Sequence, residues 1–150
     1  MKKTALKKII IDRCLQRLED NYKTAMSEVN ETQQAANETG PPKDRYDPFR
    51  SQMLRRRNLF AEQCQTILNE IEIIKKINPE INHERVSFGS VVITTGQKLF
   101  FGVSLGKIEV NHETFFVASI QTPLFEAMKN KQVGDIFEIN KNKFKILEIF

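Results

Sequence analysis

Tryptophan is absent from this sequence, cysteine and histidine occur twice each, and the apolar residues never gather into a long uninterrupted run. A membrane-spanning helix needs about 20 mostly apolar residues, so no membrane partner is expected. The opening Met1-Lys2-Lys3-Thr4-Ala5-Leu6-Lys7-Lys8 starts like the basic part of an export signal, but its apolar run, Ile9-Ile10-Ile11, ends at Asp12 and Arg13. Two isolated cysteines make neither a disulfide framework nor a zinc site, and the expected compartment is the reducing cytoplasm. Nucleophilic thiol chemistry needs a nearby histidine. Cys14 and Cys64 instead fall on helical apolar stripes, while His83 and His112 lie in the other half without metal-ligand spacing. Gly102-Val103-Ser104-Leu105-Gly106 lacks the Gly-Lys-Ser/Thr ending of a phosphate-binding loop. These absences leave no independent enzyme to propose.

What is present divides into two halves. Five of the six glycines lie after residue 88, together with most β-branched and aromatic runs, and the composition changes at Asn78-Pro79. Residues 1–78 are expected to form one domain and residues 79–150 another. In the first, Ile11, Leu15, Leu18, Tyr22, Ala25, Val29, Thr32 and Ala36 recur at steps of four and three, a heptad seam. Gly40-Pro41-Pro42 supplies a stop, and a second helix opens near Asp47-Pro48 with Phe60, Cys64, Ile67, Ile71 and Ile74 at the same steps. Two long helices joined by a short turn predict an antiparallel helical hairpin, a coiled coil with its tip at about residues 40–48. Towards that tip Thr32, Gln33, Arg56 and Arg57 occupy or border positions that Leu or Ile would fill.

The second half predicts five short strands, over residues 90–95, 98–104, 114–120, 134–139 and 144–149. One brief helix is predicted over residues 124–129, with Thr122 as N-cap and Pro123 at the first position. The fold class is α+β: the hairpin, then a small antiparallel β-sheet domain with one short helix. Phe100-Phe101 and Phe115-Phe116 are adjacent pairs on strands, so one ring of each is expected in the core.

Charge is unevenly shared. Residues 1–76 hold 15 basic and 11 acidic residues, whereas residues 77–150 hold 8 of each, so the net +4 belongs to the hairpin. Six basic residues, Lys43, Arg45, Arg50, Arg55, Arg56 and Arg57, surround two carboxylates, Asp44 and Asp47. A basic tip of this kind suits phosphate or acidic side chains. Asp47 directly before Pro48 also fits a helix N-cap, and helical arginines also serve as solvated surface.

A long hairpin with tip carboxylates ahead of a small β-rich domain resembles the Gre transcript-cleavage factors of bacterial RNA polymerase. The resemblance is carried by Phe88-Gly89-Ser90-Val91-Val92, by the run from Ala118 through Ser119-Ile120-Gln121-Thr122-Pro123-Leu124-Phe125 to Met128, and by Val133-Gly134-Asp135. It implies an FKBP-like C-terminal domain and a hairpin that enters the polymerase secondary channel. It further implies that Asp44 and Asp47, three residues apart, help hold a Mg²⁺ shared with the polymerase, which then hydrolyses backtracked RNA. RNA polymerase and the nascent RNA 3′ end are the implied partners, with the basic tip residues contacting RNA or channel acids. No cofactor is expected on the isolated chain; a monomer is expected, and a homodimer through the hairpin stays open. Where the family carries a further acid, an Asn and a Tyr after its second carboxylate, this chain has Pro48-Phe49-Arg50, with Tyr46 between the two Asp residues. A channel regulator that cleaves nothing therefore remains an alternative, as does a prolyl isomerase suggested by the fold alone.

Overall fold

Heptad spacing becomes helix over Lys3–Glu38 (α1) and Pro48–Lys75 (α2), the two limbs of the N-terminal hairpin. The computed structural model describes residues 3–38 and 48–150. Ile11, Leu18, Ala25 and Thr32, each a heptad apart, are buried with Cys14 and Ala36, while Leu15, Tyr22 and Val29 are half-buried. On α2, Cys64, Ile71 and Ile74 are buried and Phe60 and Ile67 half-buried. One face of each helix thus leaves water, the main source of helix stability in a protein. Neither Cys14 nor Cys64 is in a disulfide. Gly40-Pro41-Pro42, the expected stop, lies outside the described residues.

Contacts divide the chain into two compact units, Gln16–Glu72 and the pair of segments Met1–Leu15 and Ile73–Phe150. The second unit is built on six strands: Val91–Thr94 (β1), Lys98–Gly102 (β2), Gly106–Val110 (β3), Glu113–Ser119 (β4), Ile136–Ile139 (β5) and Asn142–Ile149 (β6). Their order is β3-β4-β2-β1-β6-β5. The sheet expected to be antiparallel throughout is mixed, because β2 and β4 pair in parallel, Lys98 beside Phe115 through Gly102 beside Ser119. The cause is a strand that the sequence reading left out. Gly106, at φ 81°, turns the chain into β3, which skips one position. The return strand β4 then fills the gap and necessarily runs with β2.

Both faces of this sheet are covered. Val92, Leu99, Phe101, Ala118, Phe137, Ile146 and Ile149 pack with Phe125 and Met128 of the helix Pro123–Met128 (α3). On the alternate positions Val91, Phe100, Phe115 and Val117 are equally buried. Both rings of the pair Phe100-Phe101 are therefore in the core, not one. A Cβ on Gly102 would meet Ile74 Cδ1 at 2.7 Å, so glycine there lets the end of α2 lie against β2.

Thr122 caps α3 as the sequence implies. Its Oγ1 accepts from Phe125 N at 3.3 Å and donates to Ser119 O at 2.9 Å, and Pro123 occupies the first helical turn. Thr122→Ala is expected to cost about 1 kcal/mol, read as a lower urea midpoint at unchanged slope; an unchanged midpoint would show that the cap contributes nothing.

Candidate functional site

The site residues inferred from sequence separate into two groups. Lys43, Asp44, Arg45 and Asp47 lie outside the described residues. The other four stand on α2, where Arg55 and Arg56 are exposed and Arg50 and Arg57 half-buried. Arg57 continues the α2 seam one heptad before Cys64, and its Nη1 donates to Gln33 Oε1 of α1 at 2.6 Å. Its Nε and Nη2 both donate to Asn58 Oδ1. The guanidinium is held between the helices and within its own turn, where an aliphatic side chain would stand in a regular coil. Thr32 is accommodated by its own helix, Oγ1 donating to Glu28 O at 2.8 Å. The polar stretch of the seam is thus internally satisfied, leaving Arg55 and Arg56 as the arginines turned to solvent.

The β-rich unit carries a second feature. A cavity of about 160 Å³ opens between α3 and one end of the sheet, walled by Leu99, Leu124, Phe137, Ile139 and Phe144, with Thr94, Gln97, Asn140 and Asn142 around it. Gly96 makes one wall possible, because a Cβ there would stand 2.5 Å from Phe144 Cε1. Thr94 Oγ1 is occupied by the turn, donating to Gln97 O and accepting from Gly96 N and Gln97 N. By contrast, among the described residues the carboxamides of Gln97, Asn140 and Asn142 have no hydrogen-bond partner. An uncharged pocket with open amides fits one apolar side chain and its flanking peptide groups. No metal-holding group of three His, Cys, Asp or Glu side chains occurs among the described residues.

A third cluster escaped the sequence reading. Lys7 is 1% exposed, and its Nζ donates to Ile81 O at 2.8 Å. Among the described residues no carboxylate lies within ion-pairing distance of it, and burial pulls its pKa down to about 8. His83 accompanies it, Nδ1 2.9 Å from Ser87 Oγ; burial and then the Lys7 charge hold its pKa below the usual value. The available signal was the seam itself, since stepping back from Cys14 by one heptad lands on Lys7.

No family model matches this sequence, and no curated protein does. Solved structures are similar to it at low identity. The crystal structure of GreA factor homolog 1 (Gfh1) of Thermus thermophilus is 18% identical, over 91% of this chain and 94% of that chain, with TM-score 0.31. The crystal structure of Thermus aquaticus Gfh1 is 20% identical, over 89% of this chain and 92% of that one, with TM-score 0.32. A further structure of the transcription factor Gfh1 is 18% identical over 90% and 92%, with TM-score 0.33.

Proposed function

We propose that this chain is a Gre-like accessory factor of bacterial RNA polymerase that rescues backtracked elongation complexes from within the secondary channel. The observation that carries the reading is the pairing of two features in one chain. Two long helices are joined through a segment holding Asp44 and Asp47 among basic residues, and the second unit contains the Thr122-Pro123 helix start within the stretch that resembles the Gre family. The apolar cavity beside α3 adds a place for a side chain of a protein partner.

The chemistry belongs to the polymerase. Hydrolysis of a phosphodiester in line requires charge to be neutralised on both attacking and leaving oxygens, which a second divalent ion supplies. Two aspartates offer hard oxygen donors of the kind Mg²⁺ prefers. On this chain Asp44 and Asp47 would contribute those donors, while Lys43, Arg45, Arg50, Arg55 and Arg56 would favour binding of the RNA 3′ end or of channel acids through their positive field. Arg57, held by Gln33, would act on the tip by fixing its helices. Such a factor works where transcription does, in the cytoplasm.

A second reading, a channel regulator without cleavage, rests on sequence: Pro48-Phe49-Arg50 stands where the resembled family carries a further acid, an Asn and a Tyr, and Asp47-Pro48 fits a helix N-cap. One experiment separates the two. Artificially backtracked complexes of the cognate polymerase, supplied with Mg²⁺ and the full chain, are expected to shorten their RNA from the 3′ end. Asp44→Asn/Asp47→Asn should abolish the shortening while leaving polymerase binding intact. Binding by the wild type without any RNA shortening overturns the rescue reading in favour of the regulator.

A further inference from the structure

The side of α2 away from its seam carries a pattern that packing does not use and of which the proposed function uses Arg55 alone. Arg55, Leu59, Glu62, Thr66 and Glu70 follow one another at steps of four, three, four and four, which places them along one stripe of the helix. A shallow groove runs there, lined by Leu59, Glu62, Gln63, Thr66 and Glu70 together with the edge of Ile67. Leu59 is 61% exposed, the most exposed large apolar residue among those described. Arg55, Glu62, Gln63 and Glu70 are long polar side chains with no side-chain hydrogen bond or ion pair among the described residues.

This stripe is its own complement when read backwards. We infer that it is an interface for a second copy of this chain, two α2 helices lying antiparallel about a twofold axis between Glu62 and Gln63. In that register Arg55 of one copy stands opposite Glu70 of the other, Leu59 opposite Thr66, and Glu62 opposite Gln63, each relation occurring twice as a twofold interface requires. Arginine meets carboxylate at both ends, and an acceptor meets an amide at the centre. A parallel arrangement would set Arg55 on Arg55 and Glu70 on Glu70. Sliding the antiparallel pair by one turn would set Arg55 against Thr66 and Leu59 against Glu62, losing every complementary relation. The charge order along the helix therefore favours an antiparallel second copy, in the register that pairs Arg55 with Glu70 at both ends and Glu62 with Gln63 at the centre. Glu70 is already partly desolvated, and burial pushes its pKa up; an arginine from the second copy would relieve that cost.

With one leucine from each copy, set on either side of a polar centre, as its apolar content, the contact is weak and depends on exposed ion pairs, so salt should dissolve it. It also covers Arg55, so the paired protein is a storage form that must separate before the hairpin engages another target. The inference goes beyond the proposed function and is tested without polymerase.

Sedimentation equilibrium of the full chain, from micromolar to millimolar concentration, is expected to show a monomer–dimer equilibrium at low salt that shifts to monomer in concentrated NaCl. Arg55→Glu and Glu70→Arg should each weaken dimerisation by at least about tenfold, since each turns two attractions into two repulsions. Arg55→Glu combined with Glu70→Arg should restore it, because both pairs re-form with their signs exchanged. Arg55 is exposed and Glu70 half-buried, neither side chain holds a hydrogen bond or ion pair among the described residues, and all three variants should keep the helical circular dichroism of the wild type. A chain that stays monomeric throughout, a dimer indifferent to either single change, or a combined variant no better than the single ones overturns the inference.

Discussion

Phe101→Ala is expected to lower the thermal midpoint of the β-rich unit by roughly 20 °C. Phe101 is fully buried and meets Phe125 edge to face, with ring centroids 5.1 Å apart. Its neighbours come from β1, β4, β6 and α3, so truncation opens a hole that no single element can close. A buried Phe→Ala change costs about 3 to 5 kcal/mol, and in a unit of this size each kcal/mol moves the midpoint by about 4 to 8 °C. Leu147→Ala is the control, because Leu147 is 49% exposed and surface changes usually stay within about 0.5 kcal/mol. Calorimetry on the two variants decides the matter. A fall below about 5 °C for Phe101→Ala would mean that the ring is not the centre of this core.

The second large effect comes from removing a charge. Lys7→Met is expected to stabilise the fold at neutral pH and to abolish a rise in stability on the alkaline side. With its pKa held down to about 8 against 10.5 when unburied, Lys7 gives up its proton in the folded chain while the unfolded chain still keeps it. Between those two values the unfolded state binds more protons, so stability rises with pH; below about 8 the full cost of the buried charge is present. The difference amounts to about 3 kcal/mol. Part of it is offset by the bond to Ile81 O, which Met cannot make, leaving a net gain of about 1 to 2 kcal/mol near pH 7. Urea unfolding of both proteins between pH 7 and 11 isolates the term as their difference. The same change should move the His83 titration upward, since the Lys7 charge helps hold it down. Parallel pH profiles for the two proteins would show that Lys7 is not charged in a buried site.

These two residues also mark where sequence was informative and where it was not. Phe101 lay on a strand legible from its β-branched and aromatic neighbours, and the heptad seam from Ile11 to Ala36 led directly to α1. The α3 start was readable because Thr122-Pro123 is a local signal: its hydrogen bonds close within the same turn. β3 was missed because Gly106-Lys107-Ile108-Glu109-Val110 is a short alternating run behind a glycine, and its identity as a strand depends on β4 beside it. Parallel pairing of β2 with β4 followed from that omission. Lys7 is hard to single out because its neighbours are basic as well: the heptad step back from Cys14 marks its position, and its burial then sets it apart. Of the candidate site, charge order along α2 was plain, whereas the engagement of Arg57 with Gln33 joins residues far apart in sequence. The cavity beside α3 is assembled from two turns, a strand face and a helix, which no local pattern encodes.

The placement of β6 bears on the order in which the chain acquires its structure. β6 is the last strand in sequence, yet it stands between β1 and β5 and, among the described residues, is the only strand joining β5 to the rest. Its partners in β1 lie more than fifty positions earlier, Val92 beside Ile149 and Ile93 beside Glu148, and Lys3 forms an ion pair with Glu148 at 3.2 Å. Closing such long loops is slow, whereas helices grow by near-neighbour contacts. Refolding from denaturant should therefore be biphasic: helical signal returns quickly, and sheet protection follows only when the final strand is captured. During that interval the edges of β1 and β5 that β6 will cover remain open to other chains. Aggregation on dilution from denaturant should thus scale with the lifetime of the unclosed sheet and not with the stability of the finished protein.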